Sequence, residues 1–268
     1  MQSFAYEFLV VPGFVAAATL FLAATASSLA APRYTSPMLL ALDTTTEILH
    51  LALIRGERVW ARRVTAGVGR GHSERLIPAL DELMVEAGAR RQELTGVAAC
   101  LGPGGFTSLR IGVATAEGFG LAGLPTWGFS AFELRAEALR QAGVTGPVWI
   151  LLDGQRSEAF HQRWEAGPTE AAAKHLLATL PDRLGSEPWW APEAFASRVE
   201  ALLPTGRIHL VDEGVATLAG LVALARRVAQ GAPEAPLVPF YLRETDAEVN
   251  FPLAAAHLPE ALRKGVAR

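Results

Sequence analysis

MLLALDTTTEILHLALI (38–54) and VWILLDGQRSEAFHQRW (148–164) decide how this chain is read. Each is an apolar run that ends on an aspartate, Asp43 or Asp153, turns over a few polar residues, and resumes as another strand-like run. Short apolar runs separated by a polar turn read as paired strands of a buried sheet. The two copies lie about 110 residues apart, too far for a solenoid repeat and the right spacing for a duplicated domain.

Working outward, residues 57–64 alternate as a third strand. Leu76, Ile77, Leu80, Leu83, Met84 and Ala87 recur at three- and four-residue spacing, which predicts an amphipathic helix over 71–88. A buried strand (97–101), a glycine-rich turn, a helix (108–122), a strand (125–129) and a helix (131–142) stopped by Gly143 follow. Beyond the second copy, helices near 192–203 and 215–230 flank a strand at 207–211, while 168–188 is too irregular to assign. The expected class is α/β, with two mixed-sheet halves at 38–145 and 146–268.

Residues 1–37 stand apart as a non-domain extension. Residues 8–32 carry no charge and end in small residues resembling a signal-peptidase site near Ala30. Yet Gln2 and Glu7 stand where a signal sequence would be basic, and the first strand begins on Met38. Initiation at Met38 is the preferred reading; an export or anchor segment is the alternative.

With 268 residues, 50% hydrophobic and 19% charged, and a mean hydropathy of +0.24, disorder is excluded for most of the chain. A net charge of −3 supplies no basic field of the kind a free-standing nucleic-acid binder uses. The single cysteine, Cys100, excludes an intramolecular disulfide and a cysteine metal cluster, and inside an apolar strand it reads as an inert thiol. No two histidines stand three to five residues apart, and no G-x-S-x-G occurs.

LGPGGFTSLRIG (101–112) is the loudest local motif. Its glycines between strand and helix could gather backbone N–H groups around an anion. However, Thr107 stands where a dinucleotide fingerprint needs glycine, and a phosphate-loop lysine is missing. The plainer reading is a tight strand–helix turn. Gly112, Ala116 and Gly120 then line one helix face, and close packing, within the chain by default or else against another chain, must offset a cost of about 1 kcal/mol per helical glycine. Asp43 and Asp153 are a candidate carboxylate pair for a metal–nucleotide complex, against simple Asx-turns. The candidate nucleotide-binding set is Asp43, Thr44, Thr45, Gly102, Gly104, Gly105 and Asp153; no catalytic residue and no metal ligand is assigned.

LLALDTTTE (39–47), HSERLIPALDELM (72–84), GPGGFTSLRIGVATAEGFG (102–120), LLDGQRSEAF (151–160) and PFYLRE (239–244) occur in an order that resembles the TsaB family. That family is the non-catalytic partner of TsaD in bacterial synthesis of threonylcarbamoyladenosine in tRNA. The resemblance implies a duplicated RNase-H-like (actin-like ATPase, ASKHA) fold. TsaD carries a His-x-x-x-His metal motif whose places here are Ala131 and Arg135, a pair unable to hold a metal. The family's first two helices form its partner surface, which implies that His72, Leu76, Leu80, Leu83, Met84, Leu109, Gly112, Val113, Ala116 and Gly120 face another chain.

The expected function is therefore an accessory subunit, not an enzyme, acting in the cytoplasm without membrane contact. It would stabilise a TsaD-like catalytic chain, keep company with a TsaE-like ATPase, meet tRNA only through the complex, and form a homodimer when free. It would hold no cofactor of its own, with ATP and magnesium entering only within the complex. The alternative is an active actin-fold phosphotransferase that uses Mg-ATP between Asp43 and Asp153.

Overall fold

The computed structural model describes residues 36–65 and 71–243. Strands β1 (Met38–Asp43), β2 (Ile48–Arg55), β3 (Arg58–Thr65), β4 (Leu94–Cys100) and β5 (Thr126–Phe129) form one sheet in the order β3-β2-β1-β4-β5. The first three make an antiparallel meander. β4 and β5 join in parallel through crossover helices α1 (Gly71–Glu86) and α2 (Phe106–Leu121).

The second sheet contains β6 (Val148–Gln155), β7 (Glu158–Trp164), β8 (Ala173–Leu176) and β9 (Trp189–Trp190), in the order β8-β7-β6-β9. β6 pairs antiparallel with β7 and parallel with β9, as β1 does with β2 and β4. The duplication signalled by the two aspartates is thus present in the topology, with no counterpart of β5 among the described residues. The fold is α/β, a duplicated actin-like arrangement of two mixed sheets.

Strand alternation sets the layers. Leu40, Leu42, Leu49, Leu51 and Leu53 point to one side, where they pack against Leu76, Leu80 and Leu83 of α1 and Leu109, Val113 and Phe119 of α2. Ala41, Ala52 and Ala98 point to the other, against helices α3 (Ala131–Gln141) and α6 (Glu213–Val228), which also touch Ile150 and Leu152 of β6. Trp149 and Leu151 face outward onto α4 (Leu180–Leu184) and α5 (Glu193–Glu200). The order is helices, sheet, helices, sheet, helices.

Two expectations for the second half are corrected. The strand at 207–211 is a single bridge from Arg207 to Trp189, with the Ile208 N–H donated to the Trp189 carbonyl at 2.8 Å. Among the described residues it bridges to the two-residue β9 alone, closed in by Pro188 and Pro192, and proline donates nothing to a ladder. The unassigned 168–188 contains β8, α4 and a short 3-10 turn; β8 is mostly exposed and so carries no hydrophobic alternation. The apolar run at 8–32, His257 and Glu244 lie outside the described residues. Among the described residues, no helix is long and apolar enough to cross a membrane.

Candidate functional site

Asp43 ends β1 on the Ala41 side of the sheet, facing α3 and the cleft between the two sheets. The cleft has a volume of about 900 Å³, and Thr45, His50, His72, Gly104, Arg135 and Asp153 are among its lining residues. Asp43 itself is fully buried. Its Oδ1 accepts the Thr45 N–H at 2.9 Å and the Thr45 hydroxyl at 2.6 Å, an Asx-turn. Its Oδ2 accepts Arg135 Nη2 at 3.0 Å, with His50 Nδ1 at 3.7 Å. Burial opposes ionisation, but the Arg135 guanidinium, His50 and Thr45 outweigh it and hold the carboxyl well below the usual range.

Asp153 repeats the arrangement in the second lobe. Oδ1 accepts the Gln155 N–H at 2.8 Å, again an Asx-turn, and Oδ2 accepts Arg198 Nη1 at 2.9 Å. Both candidate metal–nucleotide carboxylates are thus committed to an arginine of their own lobe. Arg135 lies at one of the two places where the resemblance puts a TsaD metal-ligand histidine, and it presents a cation to Asp43 from inside the fold. Magnesium would have to displace a buried guanidinium, so the residues present do not fit a Mg-nucleotide at Asp43.

The glycine-rich turn is occupied by the chain itself. The Gly105 N–H donates to the Thr45 carbonyl at 3.0 Å, and a β-carbon on Gly104 would collide with that same carbonyl. Gly102, with φ +106°, lies against the Phe240 carbonyl. These glycines let the turn press onto the β1–β2 connection and the C-terminal segment. They leave no opening for a phosphate between the turn and Thr45.

The residues read as a partner surface require correction. Leu76, Leu80, Leu83 and Met84 of α1, and Leu109, Val113 and Ala116 of α2, lie in the chain's own core with at most 4% exposure. Gly112 sits against Thr44, and Gly120 against Thr126, so the small-residue face packs within the chain. His72 is buried in the cleft, and its Nε2 has no partner among the described residues. Burial is the main cause of its lowered pKa. Periodicity locates the buried stripe of a helix but not what covers it, and here the sheet does. The outward faces carry Val85 at 80% and Leu121 at 81% exposure, while half-buried Ile77 and Ile111 pack against the core.

Sequence reasoning missed His50 and the pairing of Arg135 with Asp43. The register Asp43↔His50 was available from the hairpin itself. Cys100 is fully buried, and burial pushes its thiol well up, in keeping with an inert core role.

Residues 64–185 match the family model described as TsaD, tRNA N6-adenosine threonylcarbamoyltransferase. An uncharacterised protein of Mycobacterium tuberculosis is 31% identical over 213 residues, covering 78% of this chain and 93% of its own. The TsaB protein of Escherichia coli, named for tRNA threonylcarbamoyladenosine biosynthesis, is 32% identical over 146 residues, 51% of this chain and 62% of its own. That of Haemophilus influenzae is 32% identical over 124 residues, 46% and 51% respectively. The chain thus aligns with roughly half to three-fifths of these two TsaB proteins. Among solved structures, YeaZ from Pseudomonas aeruginosa superposes with a TM-score of 0.61 at 23% identity, over 77% of this chain and all of that one. The chain belongs to one family with the mycobacterial protein, and in sequence and fold it is similar to the TsaB (YeaZ-like) proteins.

Proposed function

We propose that this protein is the accessory subunit of a tRNA threonylcarbamoyladenosine-forming complex, stabilising a TsaD-like catalytic chain and performing no chemistry itself. The observation carrying the reading is Arg135 on Asp43 at 3.0 Å, both side chains at 2% exposure or less. A buried guanidinium neutralises the carboxylate on which metal–nucleotide chemistry in this cleft would depend. A buried pair of this kind resists opening, because either partner left alone is an uncompensated charge.

The partner docks on the outer faces of α1 and α2. Both helices return from one edge of the first sheet to the other as parallel crossovers, which brings their C-terminal ends, with Val85 and Leu121, to the same edge. Exposed large apolar residues at that edge supply the core of an interface of about 800 Å² per partner. A homodimer uses the same face when the partner is absent. A TsaE-like ATPase and tRNA join through the assembly, ATP and magnesium bind only within it, and the complex works in the cytoplasm.

Affinity capture from native lysate tests the reading. Recovery of a TsaD-like chain at equal stoichiometry is expected, and its absence at both low and high salt would overturn the proposal. Micromolar ATP binding with turnover by the isolated chain would favour the phosphotransferase alternative.

A further inference from the structure

The segment PFYLR (239–243) meets α2 at the end opposite Leu121, and the accessory role does not use it. It crosses the start of α2, with the Phe240 N–H donated to the Leu101 carbonyl at 2.6 Å and Arg243 Nη1 to the Gly154 carbonyl at 3.2 Å. It therefore ties the first lobe to the β6–β7 turn of the second.

Where it meets α2, Tyr241 and Phe106 stand 39% and 42% exposed, with ring centroids 5.5 Å apart. Arg110 lies 3.7 Å from the Phe106 centroid and donates its Nε to the Tyr241 hydroxyl at 2.9 Å. These groups rim a hollow of about 460 Å³ that Arg243, Gln155 and Asp153, the last paired with Arg198, also line. Gln155 opens three successive non-glycine residues with left-handed backbone, φ 63°, 46° and 64°. Backbone strain of this kind gathers where a side chain must be aimed.

Arg110 and Arg243 are set beside exposed aromatic rings, which the other arginines without a carboxylate partner among the described residues, such as Arg58 and Arg75, are not. Most arginines among the described residues pair with a carboxylate. Among the described residues, Arg110 bonds to Tyr241 and the rings, and Arg243 to a carbonyl. Two guanidinium charges without a carboxylate partner among the described residues, beside two half-exposed rings, match an unstacked base and its flanking phosphates.

We infer that Phe106, Arg110, Tyr241 and Arg243 form a contact site for single-stranded RNA. The inference rests on the accessory-subunit reading and deepens it: within the assembly, this chain touches the RNA directly. The rings stack on an unpaired base, the arginines meet two phosphates, and Gln155 reaches toward a base edge. The whole-chain charge of −3 makes this a local contact whose strength comes from stacking.

Fluorescence anisotropy with a hairpin RNA bearing an unpaired, adenosine-containing loop tests it, on both the full chain and its complex with the TsaD-like partner. A blunt duplex of the same stem is the control. The loop is expected to bind more tightly than the duplex, with a log–log salt slope on the free chain of about −1.4 for two phosphates. Phe106→Ala and Tyr241→Ala should each weaken loop binding about tenfold, and Arg110→Gln should reduce the slope by about 0.7. Circular dichroism verifies that each variant folds. Unchanged loop affinity in the folded Phe106→Ala/Tyr241→Ala double variant would overturn the inference. Loss of partner co-elution in that variant without loss of RNA affinity would also overturn it, marking the patch as a protein contact. Failure of the wild-type chain to bind the partner would sink the accessory reading instead, leaving the free-chain titration to judge the RNA site.

Discussion

Arg135→Ala leaves Asp43 ionised at the bottom of the cleft with only His50 and Thr45 for company. Removing one member of a buried pair costs about 3–5 kcal/mol, so urea unfolding at pH 7 should show a loss of that size. The folded pKa of Asp43 lies below its usual value. Its ionised form therefore stabilises the fold fully above about pH 4, and that contribution fades as pH falls further. Asp43→Asn should lower the melting temperature at pH 7 and flatten the acid limb, as thermal melts between pH 2 and 7 would record. His161 titrates with the same sign on a different window. Burial, and then the charges of His175 and Arg183, lower its pKa to about 4. The unfolded chain takes up a proton near pH 6.5 while the folded one does not. Stability should drop by about 3 kcal/mol between pH 7 and 4, and His161→Gln should remove that part of the slope.

At the scale of elements, α1 has two faces with opposite responses to charge. Leu80 is fully buried between α1 and the first sheet, so Leu80→Asp should cost more than about 4 kcal/mol and give an unfolded chain by circular dichroism. Val85 is 80% exposed on the same helix. Val85→Glu, like Leu121→Glu on α2, should keep a native spectrum and melting temperature while reducing partner co-elution in size-exclusion chromatography. The contrast also marks what was legible in the sequence. Three- and four-residue spacing placed both helices, apolar runs broken by a polar turn placed β1, β2 and β6, and alternation placed β3, because each element buries residues in a pattern fixed by its geometry. The resemblance led to the wrong neighbour for Leu76, Leu80 and Val113, and the spacing could not correct it, since an apolar stripe looks alike under a sheet or under a partner. The Asp43–Arg135 pair spans 92 positions, and no local pattern encodes a contact that only the tertiary fold creates. β9 and β8 escaped for a plainer reason: one has two residues, and the other is mostly exposed.

For the molecule as a whole, the actin-like architecture is kept while the carboxylates of the cleft are neutralised from within. The glycine turn is pressed onto Thr45, and Asp43 and Asp153 each hold an arginine. What remains for function lies on the outside: the apolar edge of α1 and α2, and the aromatic–arginine patch at the C-terminal segment. Isothermal titration of the free chain with Mg-ATP should accordingly show no binding in the micromolar range. The most direct measurement of the central claim is threonylcarbamoyl transfer to tRNA, reconstituted from a TsaD-like chain, a TsaE-like ATPase, ATP and a threonylcarbamoyl donor, with and without this protein. Product is expected only when this protein and the TsaD-like chain are both present, with Val85→Glu failing to support it. Product formed by this protein without the TsaD-like chain, or formed equally well when this protein is omitted, would contradict the account.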